Sequence, residues 1–312
     1  MKRPGALELS AWLHPHIPGS IEDFEAQAPR LSRVYPIWYA LGDEGLAARN
    51  LAVNGEERQR VILAAQKGGV EIWPVLSNFN ERSMAWDPGR AARMLLEPRC
   101  AASHIRQAVG LAKADGAQGL CFDFKGLEST ERRALPAFAD LALAACHAAG
   151  LKLAMLIESP GDFTALAGRL DLLQLAALGA HGPGTGPGSL SPPDGVAAAL
   201  KLALRSSRPE GLELVFFATG WEWNGPAVRP MDWNGWEARV AKHGPAKRDP
   251  ASAELSLHYE GREAWFADSV SALRKLLKLR DAGVDKASFW VLGCEDPRLW
   301  EMLEDFPAPF LG

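Results

Sequence analysis

Gln118-Gly119-Leu120-Cys121-Phe122-Asp123-Phe124-Lys125-Gly126-Leu127 reads as a β-strand with two unlike faces. Side chains alternate along a strand, so Leu120, Phe122 and Phe124 share one face while Cys121, Asp123 and Lys125 share the other. The apolar face calls for a covering layer of helices, which leaves Asp123 and Lys125 on an interior face at the strand's end. Working outward, comparable short apolar runs occupy 7–13, 34–41, 70–76, 152–157, 172–178, 212–218 and 287–292. Helical patterns follow the runs, most clearly over 90–114, 131–149, 196–204 and 265–280, with Gly116, Gly150 and Gly283 placed as stops. Ser20 with Asp23, Asp87-Pro88, Ser159-Pro160 and Asp296-Pro297 supply helix-start chemistry.

Eight runs joined by helices predict an α/β fold, a (β/α)₈ TIM barrel in which parallel strands are wrapped by their crossover helices. The rival, an open doubly wound sheet, lacks its G-x-G-x-x-G fingerprint here. Two segments fit the alternation poorly: a Gly/Pro/Ser loop at 181–193 and a polar insertion at about 224–261, before the last helix-strand unit. Both are expected above the barrel mouth of one domain spanning 1–312.

The composition narrows the function classes. With 312 residues, 47% hydrophobic and 23% charged, and a net charge of −4, there is material for a full core and no basic footprint for nucleic acid or an anionic membrane surface. No apolar run is long enough to span a bilayer, and the first residues lack the apolar stretch of a secretory signal, so a cytoplasmic protein is expected. Cys100, Cys121, Cys146 and Cys294 are scattered without a C-x-x-C pair or a histidine at ligand spacing, which predicts reduced thiols, no metal and no cofactor.

Functional groups of such barrels cluster at the C-terminal strand ends, and there the chain resembles the family 18 glycoside hydrolases, the chitinases and their spore-coat and peptidoglycan-acting relatives. Their fourth strand reads D-G-x-D-x-D-x-E. Gly119 and Asp123 match that pattern, whereas Gln118, Cys121 and Lys125 stand where it has the first aspartate, the middle aspartate and the catalytic glutamate. Tyr35-Pro36-Ile37-Trp38-Tyr39, Trp73-Pro74-Val75-Leu76-Ser77-Asn78, Phe217-Ala218-Thr219-Gly220-Trp221-Glu222-Trp223 and the segment from Phe289 to Trp300 look like the family's second, third, seventh and final units. After the sixth run Leu178 and Gly179 occupy the places of the family's tyrosine and aspartate.

The resemblance implies a substrate-assisted mechanism, in which an N-acetyl oxygen attacks the anomeric carbon and the glutamate serves as general acid. A lysine cannot serve in its place. Lys125 beside Asp123 is expected to be a stabilised ammonium, adding positive charge where an oxocarbenium-like centre develops. The bland reading of this pair is an ion pair filling a vacated centre. A Schiff-base lysine, and a relocated carboxylate pair drawn from Glu158, Glu222 and Glu295, are the sharper alternatives.

By resemblance Trp290 floors the sugar subsite, and Asp123, Trp38, Asn78, Trp221 and Glu222 join it as candidate substrate contacts. His14, His16 and His181 are expected to be loop hydrogen-bonders. The expectation is therefore a catalytically impaired barrel that binds N-acetylglucosamine-containing polymers or glycopeptides, or serves as a scaffold for protein partners in a larger assembly. An active glycosidase with relocated carboxylates is the alternative.

Overall fold

The computed structural model describes residues 7–42, 46–158, 160–177, 180–304 and 306. Eight parallel strands close into a barrel. They are β1 (Glu8–Leu13), β2 (Arg33–Pro36 continued by Tyr39–Leu41), β3 (Glu71–Ile72 continued by Val75–Ser77), β4 (Gly119–Asp123), β5 (Lys152–Ile157), β6 (Leu172–Ala177), β7 (Leu212–Phe217) and β8 (Lys286–Trp290). Parallel pairing of β8 with β1, in register Ala11↔Phe289, completes the circle.

β2 and β3 are each broken, at Ile37-Trp38 and at Trp73-Pro74. Proline has no N–H for the ladder, so Pro74 interrupts β3 while its carbonyl still accepts from the Cys121 N–H at 2.9 Å. Residues facing out of the strands, such as Leu120, Phe122, Leu153 and Leu214, pack under the helices. Residues facing in, including Trp12, Tyr35, Trp73, Cys121, Leu156 and Val215, fill the barrel. Gly119 is required by this filling, because a Cβ there would come within 2.3 Å of the Trp73 indole. Below the mouth runs a buried polar chain: Cys121 Sγ donates to Gln174 Oε1 (3.3 Å), and Gln174 Nε2 (2.6 Å) and the Tyr35 hydroxyl (2.7 Å) donate to Glu213. It gives partners to Gln174, Tyr35 and one oxygen of Glu213, groups that an apolar interior would strand.

Several local expectations are corrected. The helical stretch 90–114 is two helices, Pro88–Leu96 and Pro98–Ala114, because Pro98 lacks an N–H and drives Glu97 to extended angles. Asp87 caps the first of them as expected, accepting from the Arg90 N–H at 3.2 Å. Ser20 and Asp23 form no capping box; Gly19, at φ 79°, precedes the helix Ser20–Gln27 without a side-chain cap. The last long helix starts at Ser269, since Arg262–Phe266 is a strand. Ser159 lies outside the described residues.

The stretch read as a polar insertion is built of regular structure. Gly220–Asn224, Ala227–Met231, Lys247–Arg248, Leu255–Tyr259 and Arg262–Phe266 form a five-stranded antiparallel sheet, and the helix Trp233–His243 packs on it through Trp236 and Phe266. Two tight hairpins hold its register, one of them turning at Glu260 (φ 48°) and Gly261 (φ 73°). Among the described residues no helix is long and apolar enough to cross a membrane, and no three His, Cys, Asp or Glu side chains gather as metal ligands. The four cysteines are free thiols.

Candidate functional site

The C-terminal strand ends bring Lys125, Asp123 and Glu158 together. β4 and β5 pair in register Leu156↔Asp123, so the residues two steps further on, Lys125 and Glu158, face each other across the strand ends. The Lys125 Nζ lies 2.9 Å from Asp123 Oδ1 and 2.7 Å from Glu158 Oε1. Asp123 is buried and Glu158 about half exposed, with its side chain at 51%.

Burial works to lower the Lys125 amine, yet the carboxylates of Asp123 and Glu158 outweigh it and hold the ammonium above its ordinary value. Burial pushes the Asp123 carboxyl up, against the downward pull of Lys125. The expected pair is therefore an ion triad. Asn78, entered as a candidate sugar contact, is spent on the backbone: its Oδ1 accepts from the Lys125 N–H at 2.9 Å, and its Nδ2 donates to the carbonyls of Lys125 (2.9 Å) and Asp87 (3.1 Å). Its work is to fix Lys125. Trp86, on a hairpin after β3 and 38% exposed, sets its ring 5.9 Å from the Lys125 Nζ.

The second focus is aromatic. Trp290 ends β8, partly exposed, with its ring tilted over the buried Trp12 at 5.0 Å. Trp221 and Trp265 of the inserted sheet join Trp290 around a small core of Leu190, Phe217, Trp223 and Ala267. His14 meets Trp290 edge-on at 6.3 Å. Trp38 is buried at the break in β2. His181 is a loop hydrogen-bonder as read from sequence, Nδ1 lying 2.8 Å from the Gly186 carbonyl.

The three carboxylates offered as a relocated pair are not brought together. Glu222 points to the helix side of the inserted sheet, buried and bound by Arg239, Tyr259 and, at 3.0 Å, Arg262. Burial would raise it, but those three donors hold its carboxyl below the ordinary range. It is an internal anchor and not a mouth residue. Glu295 accepts from the Gly293 N–H (2.8 Å) and Trp300 Nε1 (3.0 Å) on a different flank, beside Asp23. Only Glu158 reaches the triad, and there it is engaged by Lys125. Leu178 and Gly179 lie outside the described residues.

Trp86 and the Glu158 partnership escaped the sequence reading. Trp86 sits in a polar stretch without periodicity, whereas the Glu158 contact was available from the strand register alone.

This is the fold of the chitinase-like barrels. The chain superimposes on a class V chitinase from Pseudomonas fluorescens Pf-5 with a TM-score of 0.87, 24% identity, and coverage of 96% of this chain and 99% of that one. A mutant class V chitinase from Nicotiana tobaccum, in complex with NAG4, gives a TM-score of 0.81 at 12% identity over 97% of this chain and 99% of that one. An uncharacterized glycosylase of Bacillus subtilis, YvbX, is 19% identical over 279 residues, 82% of this chain and 80% of its own length. No protein-family model matches the chain.

Proposed function

We propose that this protein is a chitinase-like barrel that binds N-acetylated sugar chains at its mouth without hydrolysing them. The observation that carries the reading is the Lys125 ammonium held between Asp123 and Glu158. Glycosidic cleavage by the substrate-assisted route needs a proton donor of carboxylic strength above the scissile oxygen. An ammonium stabilised by two carboxylates releases its proton only in strong alkali, and it opposes the positive charge of the transition state. General acid help is typically worth 10²–10⁴-fold, so its loss alone removes most of the rate.

Binding has different requirements. Sugar faces stack on indoles through apolar burial and need no acid, and Trp290 is supported from beneath by Trp12. The NAG4 complex of a chitinase with the same fold agrees with this ligand class. The experiment has two arms. Fluorogenic N-acetylglucosaminides and chito-oligomers are expected to give no turnover above background, and calorimetric titration with chito- and peptidoglycan-derived oligomers is expected to give binding that Trp290→Ala weakens. Turnover abolished by Asp123→Ala sinks the non-hydrolytic reading. Absence of binding at millimolar ligand sinks the carbohydrate reading and leaves a scaffold role in its place.

A further inference from the structure

Beside Trp290 the fold forms a second hollow, partly open to solvent. His14 follows β1, which pairs with β8, so its imidazole lands against Trp290 with ring planes at 69°. His14 is also part of the wall of a cavity of about 230 Å³, which extends to the break in β2 and the helix Gly55–Gly68. The cavity has a buried apolar floor of Ile37, Trp38 and Val61, with the partly exposed Ile17 and Val53 nearer the rim. A wholly apolar cavity of roughly 150 Å³ accepts a benzene ring. There is room here for a ring carrying small substituents.

The rim carries charges, but they are already engaged. Arg60 pairs with Glu22 at 2.9 Å and with Glu25 at 2.7 Å. Glu57 closes a capping box with Asn54, and His16 Nε2 lies 2.6 Å from Glu81. His14 differs. Its Nδ1 accepts the His16 backbone N–H at 3.3 Å, which places the hydrogen of the neutral ring on Nε2, and no described residue accepts from that atom. Burial, helped by His16 and weakly opposed by Glu81, lowers the imidazole to about 4, so the ring is neutral at physiological pH.

We infer that this cavity is a second compartment of the mouth: it takes an uncharged, ring-sized apolar substituent of the molecule that stacks on Trp290, and His14 Nε2–H donates to an acceptor at the junction. An anionic substituent finds no free cation there, since Arg60 is held by Glu22 and Glu25, and a methyl group leaves the floor uncovered. The inference rests on the carbohydrate-binding reading for the Trp290 side and adds the class of substituent.

The test titrates the full chain with the methyl and methylumbelliferyl glycosides of di-N-acetylchitobiose and with methylumbelliferone alone. The aryl glycoside is expected to bind roughly tenfold more tightly than the methyl one, the scale of burying part of an aromatic ring. Val61→Trp, which fills the floor, should bring that ratio to about one without changing the methyl glycoside. Val53→Trp, at the partly exposed rim, serves the same purpose if Val61→Trp fails to fold. His14→Phe should weaken the aryl glycoside several-fold and the methyl one little. Equal affinities in the wild type, or an aryl preference that survives both filled variants, overturns the compartment and leaves the sugar reading standing. Binding of methylumbelliferone alone, blocked by Val61→Trp and without affinity for either glycoside, keeps the compartment and sinks the sugar reading. No binding of any of the three overturns both.

Discussion

Lys125 and Asp123 are the residues on which the proposed reading turns, and because both are raised in the folded chain both contributions to stability fall as the pH rises, in two different windows. The Lys125 amine is raised in the folded chain, so its stabilisation is complete below its ordinary value and is lost only as the pH rises through the higher folded one. Asp123 is raised too, so its carboxylate form costs stability at neutral pH, offset by the ammonium. Lys125→Met leaves a buried carboxylate without a partner and should destabilise by roughly 3–5 kcal/mol at pH 7, the usual cost of orphaning a buried charge. The loss should shrink on acidification, because burial raises Asp123 and without Lys125 nothing opposes its protonation, and Asp123→Asn in the same chain should recover most of it. Denaturant titrations of the single and double variants at two pH values check this; a pH-independent loss contradicts the pairing. Lys125→Glu alone should give no turnover in the hydrolysis assay, because a third carboxyl then joins Asp123 and Glu158 with Leu178 and Gly179 still in the places of the tyrosine and aspartate. A second residue-scale device is Glu295, where burial and the neighbouring Asp23 raise the carboxyl well above its ordinary value of 4.5. The folded state then holds a proton that the unfolded chain releases, so stability falls as the pH rises through that window. Glu295→Gln removes this titration and should flatten the fall of stability with pH, as thermal melts between pH 4 and 8 would record.

At the scale of elements, the loop after β6 and the inserted sheet are held by one buried pair. Glu254 accepts from the Leu190 N–H (2.6 Å), the Ser191 N–H (3.1 Å) and the Lys275 ammonium (2.9 Å), and both charged side chains are fully buried. Lys275→Met should cost roughly 3–5 kcal/mol, with partial recovery on adding Glu254→Gln. Amide exchange at Leu190 and Ser191 should rise in the single variant; unchanged protection there would mean that the loop is held by its apolar contacts alone. None of this was legible in the sequence, which presented 181–193 as a Gly/Pro/Ser loop and 224–261 as polar filler. The barrel strands were legible because burial on both faces writes continuous apolar runs. The inserted sheet hid because its strands are short and carry charged residues on partly exposed faces, such as Arg229, His258 and Glu263. The Asn224-Gly225 and Glu260-Gly261 turns were its readable signals. Glu222 was misplaced for a related reason: alternation along Gly220–Asn224 sends Trp221 and Trp223 toward Trp290 and Glu222 to the opposite face.

For the whole molecule, the question is whether barrel and insertion melt together. Three kinds of tie cross between them. The Trp233 N–H donates to the Cys294 carbonyl at 3.0 Å, the Lys275–Glu254 pair joins the helix Ser269–Asp281 to the inserted sheet's approach, and Phe217 of β7 shares a core with Trp223 and Ala267. Interfaces that combine a buried charge pair with aromatic packing couple the parts they join, so the full chain is expected to unfold in one transition. Far-ultraviolet dichroism reports the helices wrapped round the barrel, and a thiol probe on Cys294 reports opening beneath the insertion. The two signals should share one midpoint in guanidinium. In Lys275→Met the coupling weakens, and the Cys294 thiol, buried in the native chain and raised to about 12 by that burial, should become reactive at lower denaturant than the helices unfold. Separate midpoints in the wild type would show that the insertion is an independent unit. A single midpoint in both chains would show that apolar packing, without the charge pair, is enough to join them.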